Sequence, residues 1–255
     1  MLCLISLGLS DEKDISLKGL EVAKSCDFLF AEFYTTKLLT NKERLEKLVG
    51  KEIKILSRKN LEENFQEILD LAKNKKVGLL VGGDALIATT HSALIIEARK
   101  QGIETEIIHN ASIISAVGET GLHIYKFGPC LTIPFPEKTK GKLPESVYEI
   151  LKENKKRGLH TLCLLDVEEE RIMKVNEALE ILLKIEEEKK EGVISLKDEI
   201  IVFAKVGSKK PLIAYGRMEE IIKRNFEETP ATIIFPGKLH FTEKEFLEFF
   251  RIEKA

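Results

Sequence analysis

The sequence predicts an α/β protein made of two α/β domains. Short apolar runs alternate with segments of helical periodicity through the first part of the chain. This alternation is typical of βαβ units and of a mainly parallel sheet. The length of 255 residues fits either one large domain or two smaller ones. The pattern changes near residue 110, which favours two domains at 1–110 and 111–255.

The elements of the first domain follow from its apolar runs and the polar residues between them. Segment 1–7 has no basic region and soon meets acidic residues, so we interpret it as a first strand and not as a signal peptide. Asn60-Leu61-Glu62-Glu63 has the form of a capping box and predicts a helix that continues to about residue 74. The predicted strands are 2–7, 27–31, 53–56, 77–81 and 103–109, and the predicted helices include 16–25, 41–49 and 60–74.

The second domain is less regular. Segment 112–118 is a short apolar helix candidate that starts at a loop able to line a cleft. Pro134 and Pro136 break the chain around the end of the first strand of this domain. The predicted strands are 130–135, 159–165, 200–205 and 232–235, and the predicted helices are 175–191 and 218–226.

Composition excludes several classes of protein. The 40 basic and 42 acidic residues give a net charge of -2, whereas nucleic-acid binders usually carry a basic patch. No apolar stretch approaches the length of a membrane span. The four cysteines are far apart and form no CxxC pair, so zinc and redox sites have little support. We expect buried, reduced thiols in a cytoplasmic protein without a metal.

The most informative local motif is the turn Gly82-Gly83-Asp84 after the apolar run 77–81. Glycines allow a sharp turn and close approach by a ligand, because they carry no Cβ. An acid at the carboxyl end of a buried strand lies where open α/β sheets bind their ligands. Two interpretations are open at this point: Asp84 belongs to a ligand site, or it only caps the next helix.

Familiar catalytic and nucleotide-binding motifs are absent from the chain. The segment after the first strand has one glycine where the dinucleotide fingerprint needs three, and no Walker A, HExxH or GxSxG sequence occurs. Asp84 and His91 do not have the spacing of a metal pair, and we expect His91 to cap its own turn or to pack against it. His123 and Tyr125 are candidates for stacking or proton binding, although such side chains are more often satisfied structural residues.

Several motifs occur in one order along nearly the whole chain, from the first strand to about His240. The most specific is Gly121-Leu122-His123-Ile124-Tyr125-Lys126-Phe127-Gly128. On these motifs the sequence closely resembles the diphthine synthase family of class III, tetrapyrrole-methylase-like methyltransferases. The other motifs include Leu9-Ser10-Asp11, Ala31-Glu32-Phe33-Tyr34-Thr35, Gly83-Asp84, Ala88-Thr89-Thr90-His91, Ile108-His109, Ser112-Ile113, Leu165-Asp166 and Pro236-Gly237-Lys238-Leu239-His240.

The resemblance implies two α/β domains of the tetrapyrrole-methylase-like type, with S-adenosylmethionine folded in the cleft between them, in a homodimer. It implies a protein substrate, translation elongation factor 2. The amino group of its 3-amino-3-carboxypropyl-histidine would become a trimethylammonium in diphthamide biosynthesis. Some family members also form a methyl ester, but the archaeal-looking composition favours three methyl groups. His123 and Tyr125 then become candidates for contact with the substrate, and no general base is identified.

The resemblance also implies a set of cofactor contacts made largely through backbone and apolar atoms. From composition alone most of these residues belong to a core, and Ser112 to a helix N-cap, so only their joint placement in the motifs indicates a site. The implied contacts are Leu9, Asp84, Ile87, Ser112, Ile113, Leu165, Val206 and Ala231.

The turn itself departs from the family pattern. The family usually has glycine where Ser6 stands, and proline where Gly82 and Ala85 stand. Two alternative functions stay open. One is a related methylase of the same fold and cofactor that acts on a tetrapyrrole-type small molecule. The other is a non-catalytic nucleotide-binding protein of the same fold, which the altered turn favours slightly.

Overall fold

The computed structural model describes residues 1–140, 144–168 and 170–252. Contacts divide the chain into two units. Unit 1 comprises Met1–Ala116 with Glu168–Glu170, and unit 2 comprises Val117–Val167 with Arg171–Ala255. The domain boundary expected between residues 110 and 111 lies just before this transition and stays a prediction.

Unit 1 contains a sheet whose strand pairs are all parallel. Its strands are β1 (Leu2–Ser6), β2 (Phe28–Ala31), β3 (Ile53–Ile55), β4 (Val77–Val81) and β5 (Thr105–Ile108). The strand order is β3-β2-β4-β1-β5, so β1 lies between β4 and β5. In this register Leu4 is paired with Leu79 on one side and with Ile107 on the other. All five strands therefore end at the same edge of the sheet.

Helices cover both faces of this sheet. They are α1 (Leu17–Ser25), α2 (Lys42–Val49), α3 (Arg58–Glu62), α4 (Gln66–Ala72) and α5 (Ser92–Lys100), and α6 (Ile113–Ala116) follows β5. Leu2 and Leu4 pack into one hydrophobic cluster, whereas Cys3 and Ile5 pack into another. Successive side chains of a strand point to opposite faces, so the inner strands β2 and β4 carry no polar side chain, as buried parallel strands do, whereas the edge strands β3 and β5 include charged residues.

The connections after β1 and β4 leave the sheet on opposite faces. α1 follows β1 and contributes Ala23 to the cluster that contains Cys3. α5 follows β4 and contributes Leu94 to the cluster that contains Leu2. Since β1 and β4 are neighbours, their carboxyl ends form a topological switch point, which is where open α/β sheets bind ligands.

Unit 2 contains a mixed sheet. Its strands are β6 (Leu131–Ile133), β7 (Thr161–Leu165), β8 (Glu199–Ala204), β9 (Leu212–Arg217) and β10 (Ala231–Phe235). The order is β6-β7-β10-β8-β9. β6 and β7 are parallel, and β10 is antiparallel to both β7 and β8. The carboxyl ends of β7 and β8 and the start of β10 therefore share one edge.

One face of this second sheet carries the core of unit 2. The helices are α7 (Glu145–Arg157), α8 (Val175–Lys189), α9 (Met218–Lys223) and α10 (Phe241–Glu248). α7 contributes Tyr148 and Leu151 to the core, and α8 contributes Leu179 and Leu182. These side chains pack with alternate residues of the strands, such as Ile233. In the part of the chain that the structure describes, no helix has the length and apolar character needed to cross a membrane.

The helix predicted at 60–74 is wrong in its start and its continuity. The chain forms α3 and α4 there, with a break between Glu62 and Gln66. The N-cap of α3 is Ser57, whose Oγ accepts a hydrogen bond from Asn60 N at 3.2 Å, while Asn60 Oδ1 accepts one from Ser57 N at 2.9 Å. Asn60 is therefore the last residue of a capping box, at the third position of the helix, and not its first residue.

Three elements of unit 2 were not anticipated, namely α7, β9 and α10. α7 is rich in charged residues, and only one stripe of it, which includes Val147 and Leu151, is buried.

Three of the four cysteines are buried as expected, but Cys130 is exposed. Cys130 immediately precedes β6, which is an edge strand.

Candidate functional site

The loops after β1 and β4 are joined by a pair of backbone hydrogen bonds. Gly8 N donates to Gly83 O at 3.1 Å, and Gly83 N donates to Gly8 O at 2.8 Å. Both residues have positive φ, 86° for Gly8 and 68° for Gly83, a conformation that favours glycine. A Cβ added at Gly83 would meet no atom within 4 Å, so open space adjoins this part of the turn. A ligand can therefore approach the backbone at the switch point.

The side chain of Asp84 links the loop after β4 to the loop after β5. Its side chain is buried, at 5% exposure. Oδ1 accepts from Leu86 N at 3.0 Å, and Oδ2 lies 2.8 Å from His109 Nδ1 and accepts from Asn110 N at 3.2 Å. Burial by itself raises the pKa of this carboxyl, but these hydrogen bonds outweigh burial and hold its pKa below the usual value. Asp84 is therefore an ionised group whose oxygens bind two loops.

Asp84 does not cap the next helix, because α5 begins at Ser92, after His91. His91 packs against its own turn, as expected: it is buried, and its Nδ1 lies 3.2 Å from Ala85 O. Burial outweighs the nearby carboxylates and lowers the pKa of His91. The neutral ring therefore donates from Nδ1 to this carbonyl.

Sequence reasoning did not single out Asn110, which joins the third loop to the first. Asn110 Nδ2 donates to Ser6 O at 3.2 Å and to Asp14 O at 2.9 Å. Because Asn110 N also binds Asp84, this one residue connects the carboxyl ends of β1, β4 and β5. A polar residue following a predicted strand was the available signal, but nothing in the sequence showed which carbonyls it would meet.

The other expected contact residues of unit 1 lie at the same edge. Ile87 is 40% exposed, so its apolar side chain is accessible at this edge. Leu9 and Ile113 are half-buried. Ser112 is buried, and its Oγ accepts from Ile114 N at 3.2 Å, as in an N-terminal cap of α6. Unit 1 thus brings Leu9, Asp84, Ile87, Ser112 and Ile113 to the ends of three adjacent strands, with partly accessible apolar side chains.

The remaining expected residues lie together in unit 2. Leu165 ends β7, Val206 follows β8 and Ala231 begins β10, so all three occupy the shared edge of the second sheet. Each side chain is 7–8% exposed. Lys205 N donates to Pro230 O at 2.9 Å, which links two of the loops. Because the side chains are buried, contact with a ligand at this edge would come mainly through the backbone.

His123 and Tyr125 belong to a separate polar group in unit 2. Tyr125 is 79% exposed, and its hydroxyl lies 3.2 Å from His123 Nδ1. His123 Nε2 lies 3.3 Å from Thr242 Oγ1 at the start of α10. This group presents two aromatic polar side chains to solvent, and it contains no residue of the expected cofactor set.

Beneath this group lies Glu243, which sequence reasoning also missed. The carboxylate is fully buried and accepts from His123 N at 2.8 Å and from His240 N at 2.6 Å. It also pairs with Lys126 and lies 3.0 Å from His160 Nε2. Burial raises the pKa of Glu243, but the hydrogen bonds prevail and lower its pKa to about 2. Glu243 therefore fixes the family-specific segment 121–128 onto α10.

Metal chemistry has no candidate centre in the described ranges. No group of three or more His, Cys, Asp or Glu side chains there is arranged to hold a metal ion. The arrangement at the switch point offers backbone, apolar contact and one saturated carboxylate, which suits an organic ligand.

Replacement of Glu243 by Gln should destabilise the protein by about 2–4 kcal/mol at pH 7, because Lys126 loses its buried partner. The folded-state pKa of Glu243 lies below the reference value of 4.5. Its stabilisation is therefore present above about pH 4.5 and is lost as the pH falls toward 2. Urea unfolding of both proteins between pH 7 and pH 3 measures this difference. Glu245→Gln, at an exposed position of α10, is the control, and a Glu243→Gln deficit that does not change with pH would contradict the assignment.

Comparison with known proteins identifies the family. Residues 1–222 match the family model of the tetrapyrrole (corrin/porphyrin) methylases. The diphthine synthase of Methanocaldococcus jannaschii is 47% identical over 254 residues, which cover 98% of each chain. That of Methanococcus maripaludis is 45% identical over 252 residues, again 98% of each chain. A crystal structure of diphthine synthase, 37% identical, superposes with a TM-score of 0.89 and covers 98% of this chain and 95% of its own. The chain therefore belongs to the diphthine synthases within the tetrapyrrole methylase family, and it is a methyltransferase.

Proposed function

We propose that the chain uses S-adenosylmethionine to trimethylate elongation factor 2. The acceptor is the amino group of a histidine already extended by a 3-amino-3-carboxypropyl group, and the product belongs to diphthamide biosynthesis. Similarity to diphthine synthases over the full chain supports this substrate. The same similarity does not favour a tetrapyrrole substrate or a non-catalytic role. A homodimer in the cytoplasm is part of the proposal.

The observation that carries the proposal is the bridged pair Gly8 and Gly83 beside Asp84 at the switch point of unit 1. An adenosyl sulfonium has a large apolar surface and several polar edges, and the site supplies both kinds of partner. Open space at Gly83 admits the ligand, and Ile87 offers apolar contact. Both oxygens of Asp84 already accept hydrogen bonds, so we assign this carboxylate mainly to holding the turn. The proposed contacts are Leu9, Asp84, Ile87, Ser112 and Ile113 in unit 1, and Leu165, Val206 and Ala231 in unit 2.

The chemistry follows from the leaving group. When bound, S-adenosylmethionine supplies a methyl group on a sulfonium, which leaves as a neutral thioether. Each transfer forms an N–C bond, breaks the S–C bond and releases one proton, counted from the ammonium form of the substrate. The chain has to align the amine with the methyl group and exclude water, an effect able to supply about 7–11 kcal/mol. Because only the unprotonated amine attacks, surroundings that disfavour the ammonium would help.

Incubation of the chain with S-adenosylmethionine and elongation factor 2 that carries the unmethylated extension should add three methyl groups to the modified histidine. Mass spectrometry of the tryptic peptide counts them. Elongation factor 2 with an unextended histidine is the control and should stay unmodified. A fourth methyl group would show that a methyl ester forms as well. No methylation by a protein that binds the cofactor would refute the proposed substrate.

Asp84→Asn should weaken S-adenosylmethionine binding at least tenfold, about 1.4 kcal/mol. The amide group of asparagine would point an N–H at one of the donors that Asp84 now binds, which loosens the turn. Isothermal titration calorimetry gives the dissociation constant. Asp70→Asn changes the same residue type at an exposed position of α4 and should leave the affinity unchanged. Equal affinities for Asp84→Asn and the natural protein would exclude Asp84 from the site.

Tyr125→Phe should raise the KM for elongation factor 2 about threefold or more, a size typical of losing one exposed hydrogen bond. The tyrosine is exposed, so folding and cofactor affinity should not change. Steady-state methylation at saturating cofactor, with protein substrate varied, separates KM from kcat. Unchanged kinetics would remove Tyr125 as a substrate contact, and His123→Phe tests the neighbouring residue in the same way.

A further inference from the structure

Ser6 forms the last position of β1, and its side chain reaches the turn after β4. Its hydroxyl oxygen accepts a hydrogen bond from Ala85 N at 2.9 Å. Both residues are fully buried. A buried backbone N–H needs a partner, and here a side chain from a different strand provides it. The bond spans 79 positions of sequence.

Ala85 occupies the centre of the proposed cofactor turn. Ile87 N donates to Asp84 O at 3.1 Å, so Ala85 is the second residue of a four-residue turn. Its carbonyl accepts from Thr89 Oγ1 at 2.6 Å and lies 3.2 Å from His91 Nδ1. The carbonyl side of Ala85 is thus held from within its own loop, whereas its N–H is held by β1 through Ser6.

We propose that Ser6 is a positioning residue whose hydroxyl, through Ala85 N–H, sets the orientation of the turn 84–87 and thereby the affinity for the cofactor. The predicted effect of Ser6 on cofactor affinity rests on the proposed function. Its predicted effect on the geometry of the turn does not. Ser6 itself is buried, so its effect on the ligand passes through Asp84 and Ile87.

The two positions should be strictly coupled. Ser6→Gly removes the acceptor and leaves the Ala85 N–H buried without a partner. Ala85→Pro removes the donor, and the proline ring would enter the space that the Ser6 hydroxyl occupies. The turn itself accepts proline at its second position, where the fixed φ is favourable. The double variant Ser6→Gly/Ala85→Pro therefore removes donor, acceptor and clash together.

The test compares the natural protein, the two single variants and the double variant. Calorimetry measures S-adenosylmethionine affinity, and hydrogen exchange of the Leu86 and Ile87 amides measures order in the turn of the ligand-free protein. We expect each single variant to bind at least tenfold more weakly and to exchange at least tenfold faster at these amides. The double variant should return to within about threefold of the natural protein in both measurements. Rescue of this kind would not follow from a general loss of stability.

Additive effects, or single variants that exchange and bind like the natural protein, would overturn the proposal. If Ala85→Pro alone does not fold but the double variant folds and binds, the coupling is confirmed in its strongest form. If neither proline variant folds, Ser6→Ala decides, since natural exchange rates in that variant would overturn the role of the hydroxyl. A natural protein that binds no S-adenosylmethionine would overturn the proposed function and the affinity part, while the exchange rates would still decide whether Ser6 orders the turn.

Discussion

The ionised carboxylate of Asp84 and the side chain of Asn110 together hold the carboxyl edge of the first sheet. A parallel sheet that is buried on both faces delivers its strand ends to one edge, where loops carry polar backbone groups that the strands no longer pair. Asp84 binds amides of its own turn and of the loop after β5. The Asn110 side chain donates to the carbonyl of Ser6, at the end of β1, and to the carbonyl of Asp14, in the loop that follows β1. These contacts tie the loop after β5 to the ends of β1 and β4, which the Gly8–Gly83 backbone pair already joins to each other.

Unit 2 also contains a buried carboxylate that holds loops together, at the start of α10. Glu243 is a buried carboxylate that accepts hydrogen bonds from two backbone amides and pairs with Lys126. It joins segments that are 117–120 positions apart in sequence. In both units an ionised acid stays buried because several donors surround it, which is the condition under which burial of a charge is tolerated. Each acid therefore organises a loop cluster and leaves exposed neighbours, Ile87 or Tyr125, available for contact.

Much of the fold could be predicted because its signals are local. Apolar runs such as 77–81 became strands with nearly the predicted bounds, and α2 begins after Asn41, a good N-cap residue. Predictions failed where two local signals competed. At Asn60 the capping pattern was real, but the side chain of Ser57 provides the cap and the helix ends at Glu62. The charged helix α7 carries a clear apolar stripe, with Val147, Tyr148 and Leu151 buried on one face, so the sequence contained a signal for this helix that the prediction did not use.

For the candidate site, the sequence by itself determined the family and the strand–turn–helix form of the Gly82-Gly83-Asp84 segment. These depend on neighbours in the chain and on motif order. Only the tertiary structure decided that Asp84 binds the loop after β5 and caps no helix, that Asn110 and Glu243 are organising residues, and that Ser6 accepts the hydrogen bond of Ala85 N–H. The physical reason is the same in each case. A buried polar group is satisfied by whichever donor or acceptor the packed strands bring within about 3 Å, and that partner lies far away in sequence.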